Sequence, residues 1–270
     1  MEKSLNTSLF SIVCPACGKA RISLPKIAQD ITCPQCFHNF PAKDGFIDLL
    51  VKQPENVPSV DAPMEWNWLV DIYESPLWRG NPLFGIPMAI PFYQEQRKIL
   101  EALALKGDET ILDLACGPGI YARALAQKVP QGHVIGLDLS VPMLSYAANK
   151  ARQQNLENIL FLRGNAMDLP FTENGFDAVN CCGALHLFPE IEKVINDIYK
   201  ILKPGGRFTA AAARCPEGKL AQKIVAYVMK RSGLTYYADQ RTLALLQDSG
   251  FAQKNLLHHK RFWFIVYGKK

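Results

Sequence analysis

From residue 109 onward, short apolar runs alternate with helix-length amphipathic stretches, and this alternation limits the possible folds more than any other feature of the chain. The runs are ETILDLA (109–115), HVIGLDL (133–139), NILFLRG (158–164), FDAVNCC (176–182) and RFTAAAA (207–213). IYARALAQKV, VPMLSYAANKARQQN and IEKVINDIYKIL carry apolar residues at helical spacing between them. A strand, ten or more helical residues and another strand make a crossover unit. Repeated crossovers give a parallel sheet with helices on both faces. A last helix, QRTLALLQDSGF, is expected to stop at Gly250, with two closing strands near 253–258 and 261–267. Hydrophobic residues are 49% of the chain, ample for a core. No apolar run approaches the ~20 residues of a membrane span. The opening MEKSLNTSLFSIVC is too weakly apolar for a secretory signal, and Val13 is too bulky for lipoprotein cleavage before Cys14. The expectation is a soluble, cytoplasmic protein.

The first 50 residues read as a separate module. Four of the eight cysteines stand as Cys14-x2-Cys17-x15-Cys33-x2-Cys36, the spacing of a zinc ribbon. Zinc takes four thiolates as a tetrahedron, and each CxxC turn supplies two. So few residues bury little core, so the metal supplies folding energy. With all four positions filled by protein, the zinc is structural. FIDLL (46–50) closes the module as a short strand. The proline-bearing stretch 51–63 is expected to be a linker, and aromatic-rich 64–105 a helical lid ending in a helix near 91–105. The large domain then runs from 106 to 270. The remaining cysteines, Cys116, Cys181, Cys182 and Cys215, read as buried thiols in reducing surroundings.

The central motif is Asp113-Leu114-Ala115-Cys116-Gly117-Pro118-Gly119, a Gly turn between a strand and a helix. Such a turn lets a cofactor approach the backbone closely, and G-x-G-x-x-A alone also fits a dinucleotide. Asp113, just before the turn, would repel a pyrophosphate and suits a cofactor with a cationic amino-acid end. Asp138 ends the next strand, where it can accept both ribose hydroxyls.

Later segments carry a resemblance. Gly164-Asn165-Ala166-Met167-Asp168-Leu169-Pro170-Phe171, Phe176-Asp177-Ala178-Val179 and Leu202-Lys203-Pro204-Gly205-Gly206 resemble, in order and spacing, motifs of class I S-adenosylmethionine-dependent methyltransferases. The resemblance covers roughly residues 64–270. It implies a doubly wound, Rossmann-like, seven-stranded and mostly parallel α/β sheet with the last strand antiparallel. It places Asp113, Ala115, Gly117 and Gly119 beside the methionine moiety and Asp138 on the ribose. Leu139 and Met143 would flank the adenine, Asn165 and Ala166 would lie at its edge, and Cys182 completes the set. Asn165 stands where Asp is usual, and Ala115 where Gly is common. Together with the ribbon, the architecture is similar to the bacterial large-subunit ribosomal RNA guanine-N1 methyltransferases. It is also similar to a little-characterised chloroplast and bacterial set that shares Tyr73-Glu74-Ser75-Pro76. The catalytic domain resembles the ubiquinone and menaquinone biosynthetic enzymes (methyltransferase type 11).

A sulfonium methyl is already electrophilic, so catalysis is mainly alignment, and a base is needed only for an acceptor slow to lose its proton. His186, just past the fourth strand, is the candidate base; Tyr236 and Tyr237 are candidate pocket residues. Asn180-Cys181-Cys182-Gly183 lacks the prolines of adenine amino-methyltransferases. Residues 211–270 hold eleven Lys or Arg against three Asp or Glu, while the ribbon is close to neutral. Aromatic surface and nearby cations point to a small aromatic or anionic acceptor. RNA is the alternative partner, as for a ribosomal guanine-N1 enzyme. A nicotinamide oxidoreductase is the second alternative.

Overall fold

The computed structural model describes residues 10–53, 89–214, 218 and 239–270. Most of the expected linker and lid (54–88) therefore lie outside the described residues, as do Cys215, the basic run from Lys219 to Arg231, and Tyr236 and Tyr237.

Four short strands build the ribbon. β1 (Phe10–Val13) pairs antiparallel with β2 (Arg21–Leu24), and β3 (Ile31–Thr32) with β4 (Asn39–Phe40). A hairpin follows, β5 (Ala42–Lys43) and β6 (Phe46–Asp48). The larger unit runs α1 (Phe92–Leu103), β7 (Thr110–Leu114), α2 (Ile120–Lys128), β8 (His133–Asp138), α3 (Val141–Gln153), β9 (Ile159–Arg163) and β10 (Phe176–Cys182). It continues through α4 (Ile191–Ile201), β11 (Leu202–Ala213), α5 (Asp239–Asp248), β12 (Gln253–Lys260) and β13 (Trp263–Lys269).

All seven strands expected of the sheet form. Their order is β12-β13-β11-β10-β7-β8-β9, with β7 to β11 parallel and β13 antiparallel to its neighbours. The ribbon adds two more, because β6 pairs parallel with β9 and carries β5 beyond it. Among the described residues the sheet thus has nine strands.

Helix patterning explains how both faces close. On α4, Ile191, Val194, Ile195, Ile198 and Ile201 make one fully or nearly buried stripe. With α5 they cover one face, in a core continuous with ribbon residues Ile12, Leu24 and Phe40. The other face is covered by α1, α2 and α3 through Ile99, Leu103, Leu125, Leu144 and Ala147. Ser140 caps α3 by accepting from the Met143 amide at 3.4 Å. Arg207 closes the far end of α1, donating to the carbonyls of Leu103 and Ala104 at 2.8 and 3.1 Å. No helix among the described residues is long and apolar enough to cross a membrane.

Chain order reverses beside β7: β8 lies on one side of it and β10 on the other. Open α/β sheets bind ligands at such a switch point, outside the carboxyl ends of the strands.

Candidate cofactor site and cysteine centre

Asp113, Asn180 and Thr209 stand in register on β7, β10 and β11, one row across the carboxyl ends of three central strands. All three are buried. Asn180 Nδ2 donates to Asp113 Oδ1 at 2.7 Å, and Asn180 Oδ1 accepts from Thr209 Oγ1 at 3.0 Å and from Cys182 Sγ at 3.1 Å. Among the described residues, no partner lies within hydrogen-bonding geometry of the buried Asp113 Oδ2. Burial raises the carboxyl to about 7, against the opposing pull of Asn180 and the Ala122 amide, and the Asp138 charge adds to the rise. A buried carboxyl oxygen with no such partner among the described residues, at a switch point, fits a cationic donor group.

The turn after β7 uses three left-handed residues: Ala115 (φ 53), Gly117 (φ 52) and Gly119 (φ 76). The two glycines are needed for different reasons. A Cβ on Gly117 would face open space, so the backbone there can be approached from outside. A Cβ on Gly119 would sit 2.8 Å from Ala147 Cβ, so Gly119 serves the packing of α2 against α3. Ala115, where Gly is common in the resembled family, accepts the left-handed strain of about 1–2 kcal/mol. Arg123, also buried, donates Nη1 to the Pro118 carbonyl at 2.7 Å and holds the turn from behind.

Asp138 closes on the same turn. Its Oδ2 accepts from the Gly117 amide at 2.7 Å, and its Oδ1 from the Ser140 amide at 3.0 Å. A carboxylate has about four lone-pair sites, more than these two amides alone occupy. Leu139 is partly exposed and Met143 buried, at the start of α3. On the next loop, Asn165 Oδ1 accepts from the Met167 amide at 2.9 Å, a local turn that occupies that oxygen. Ala166 is buried beside it.

His186 sits in a 3-10 turn, Leu185–Leu187. Its Nδ1 accepts from the Ala213 amide at 3.5 Å, and its ring lies edge-on to Trp263 at 6.4 Å. Burial lowers the imidazole to about 4, so it is neutral at pH 7. Trp263 Nε1 is buried without a partner among the described residues. Arg214 is ion-paired with Asp239 at 3.1 Å.

Sequence reasoning did not single out several residues here. Thr209, Arg123 and the buried pair Tyr121–Glu95, whose hydroxyl donates to the carboxylate at 2.5 Å, were not marked. Asn180 was marked only for the motif it lacks. Glu95 lies one turn into an amphipathic helix, where a glutamate reads as solvent-facing; only the tertiary contact with the Gly-turn helix reveals it.

In the ribbon, one ligand atom from each of Cys14, Cys17, Cys33 and Cys36 lies within 4.8 Å of the others. Cys14 and Cys36 sulfurs are 3.8 Å apart, and those of Cys17 and Cys33 4.0 Å. Zinc–sulfur bonds of 2.3 Å in a tetrahedron put sulfurs about 3.8 Å apart. The two knuckles match: Gly18 and Phe37, each four residues past the first cysteine, are left-handed and donate to the carbonyls of Cys14 and Cys33. The amides of Ala20 and Lys19 lower the Cys17 thiol to about 6, and the amides of Cys36 and Gln35 favour the Cys33 thiolate.

The profile of the methyltransferase-domain family matches residues 111–206. A demethylmenaquinone methyltransferase of Listeria welshimeri is 28% identical over 63% of this chain and 73% of its own length. Among solved structures, the YcgJ protein of Bacillus subtilis superposes with a TM-score of 0.58 at 20% identity, over 66% of this chain and 98% of its own. Phosphoethanolamine N-methyltransferase 2 of Haemonchus contortus, complexed with phosphomonomethylethanolamine and S-adenosylhomocysteine, reaches 0.65 at 17% identity, over 78% of this chain and 59% of its own. At these identities the structural likeness speaks for the fold.

Proposed function

Since residues 111–206 form a class I S-adenosylmethionine-dependent methyltransferase domain, we propose that the chain methylates a small, planar aromatic acceptor, with a quinol ring the first to try. S-adenosylmethionine, when bound, supplies a methyl group activated on sulfur. Asp113 Oδ2 is the proposed partner of its ammonium, and Asp138 of its ribose. Leu139, Met143, Asn165 and Ala166 bound the adenine, and the open face of Gly117 admits the chain between them. The four cysteines are proposed to hold one structural zinc ion.

The observation that carries the acceptor is the neutral wall at the carboxyl ends of β10 and β11. His186 is uncharged, Trp263 is an indole, and Cys182 and Ala213 bear no charge. Arg214 is committed to Asp239, while Lys260 and Arg261 stand farther along the same end of the sheet, at the β12–β13 turn. Such a wall suits a flat neutral ring better than a phosphate backbone, and the similarity to a demethylmenaquinone methyltransferase points the same way. His186 is proposed to meet the acceptor. Because Nδ1 accepts from Ala213, the neutral ring carries its proton on Nε2 and can donate to an acceptor oxygen. To act as a base it must first release the Ala213 amide.

The test is transfer of a tritiated methyl group to demethylmenaquinol in detergent, run beside total RNA, protein and lipid fractions. We expect label in the quinol and a loss of about 1–3 kcal/mol in S-adenosylhomocysteine binding for Asp138→Ala. Label in RNA alone would replace this acceptor, and binding of NADH without S-adenosylmethionine would remove the methyltransferase reading altogether.

A further inference from the structure

A second polar row crosses the sheet on the other side of the Gly turn. Asp138 on β8, Arg163 on β9 and Asp48 on β6 are consecutive register partners. Residues aligned across parallel strands project from the same face, so the three side chains form one row. Arg163 Nη1 is 2.9 Å from Asp48 Oδ2. Its Nε donates to the Leu139 carbonyl at 3.0 Å. Both side chains of the ion pair are largely shielded, 18% and 26% exposed. Asp48 is itself fixed: its Oδ1 accepts from the Leu50 amide at 3.0 Å, and its own amide donates to the Pro41 carbonyl at 2.9 Å.

Arg163 therefore joins two places distant in sequence. One prong of its fork grips the closing strand of the cysteine module. The other grips the backbone between Asp138, proposed for the ribose, and the start of α3, proposed for the adenine. The Gly164 amide adds a third tie, donating to the Asp138 carbonyl at 2.9 Å. A planar guanidinium suits this task because its donors are fixed relative to one another.

We propose that Arg163 is a positioning residue for the nucleoside half of the cofactor and that Asp48 of the ribbon sets its orientation. The ribbon then contributes to cofactor affinity without touching the cofactor. This rests on the methyltransferase reading, and the experiment separates the two.

Two near-isosteric variants of the full chain are compared with wild type by titration calorimetry with S-adenosylhomocysteine and with 5′-methylthioadenosine, which lacks the amino-acid end. Arg163→Lys keeps a charge for Asp48 but loses the fork to Leu139; Asp48→Asn keeps shape but loses the charge. Affinity should fall about tenfold in Arg163→Lys, about the cost of one charge-assisted hydrogen bond. In Asp48→Asn it should fall about threefold. Both ligands should weaken by the same factor, since only the nucleoside half is misplaced. In turnover, KM for S-adenosylmethionine should rise while kcat at saturating cofactor holds, a split that a general loss of stability does not produce. Variants that fold and bind both ligands within twofold of wild type overturn the proposal, as does weakening confined to S-adenosylhomocysteine. If wild type binds neither ligand, the cofactor reading falls and takes this inference with it.

Discussion

Asp113 and Asp138 end neighbouring strands, and their surroundings separate them. Asp138 is satisfied by backbone amides of the turn and of α3. Asp113 is buried, with one oxygen unpartnered among the described residues and its carboxyl raised to about 7. An ordinary carboxyl titrates near 4. Between about pH 4 and 7 the folded state thus keeps a proton that the unfolded chain has lost. This group's contribution to stability is greatest below that window and declines as pH rises through it. Urea midpoints of the ligand-free protein should show that decline, and Asp113→Asn should remove it; equal slopes in the two proteins would contradict the assignment. An ammonium bound at Asp113 reverses the balance. Near pH 6.5, S-adenosylhomocysteine binding should therefore release part of a proton, read by calorimetry in buffers of different ionisation heat.

The ribbon is an element of the main sheet as well as the proposed metal module. If the four cysteines hold zinc, elemental analysis should find one ion per chain, and chelation or Cys33→Ser should abolish amide-exchange protection over residues 10–50. Because β6 lies on β9, protection should also drop along Ile159–Arg163, while β7, β10 and β11 keep theirs. Protection of the ribbon that survives strong chelation would argue against the metal. The cysteine spacing, the strand–helix alternation and the aspartates at two strand ends were legible in the sequence because each is a local pattern. The docking of β6 was not. Three residues, Phe46–Asp48, pair with a strand more than a hundred positions away, and nothing local in FIDLL distinguishes a closing strand from a sheet edge. Expected strand bounds moved by a few residues where long-range pairing decided them. β11 begins at Leu202 rather than 207, because Lys203-Pro204-Gly205-Gly206 continues the strand through a register shift against β10.

For the whole molecule, the uneven charge invites an RNA reading that the described site does not favour. A protein that neutralises several phosphates loses affinity steeply with salt. We expect methyl transfer to proceed without RNA and to change less than about threefold between 50 and 200 mM salt, against the ~10³–10⁵-fold loss of a polyphosphate binder. A steep decline that tracks ribosomal RNA binding would install the nucleic-acid acceptor instead. The sheet's β9 edge also bears on how the chain is made. Asp48 and Arg163 are 115 residues apart. At about 5–20 residues per second, the ribosome delivers β9 roughly 6–23 s after the hairpin that must pair with it. During that interval the nascent hairpin has an open hydrogen-bonding edge and the four thiols have no sheet to lean on. Metal capture in the knuckles is a local event that needs no later residue, so it can organise the segment first. If the four cysteines hold zinc, the supply of metal during translation, and not only its presence in the finished protein, sets how much of this edge reaches its partner before it meets another chain.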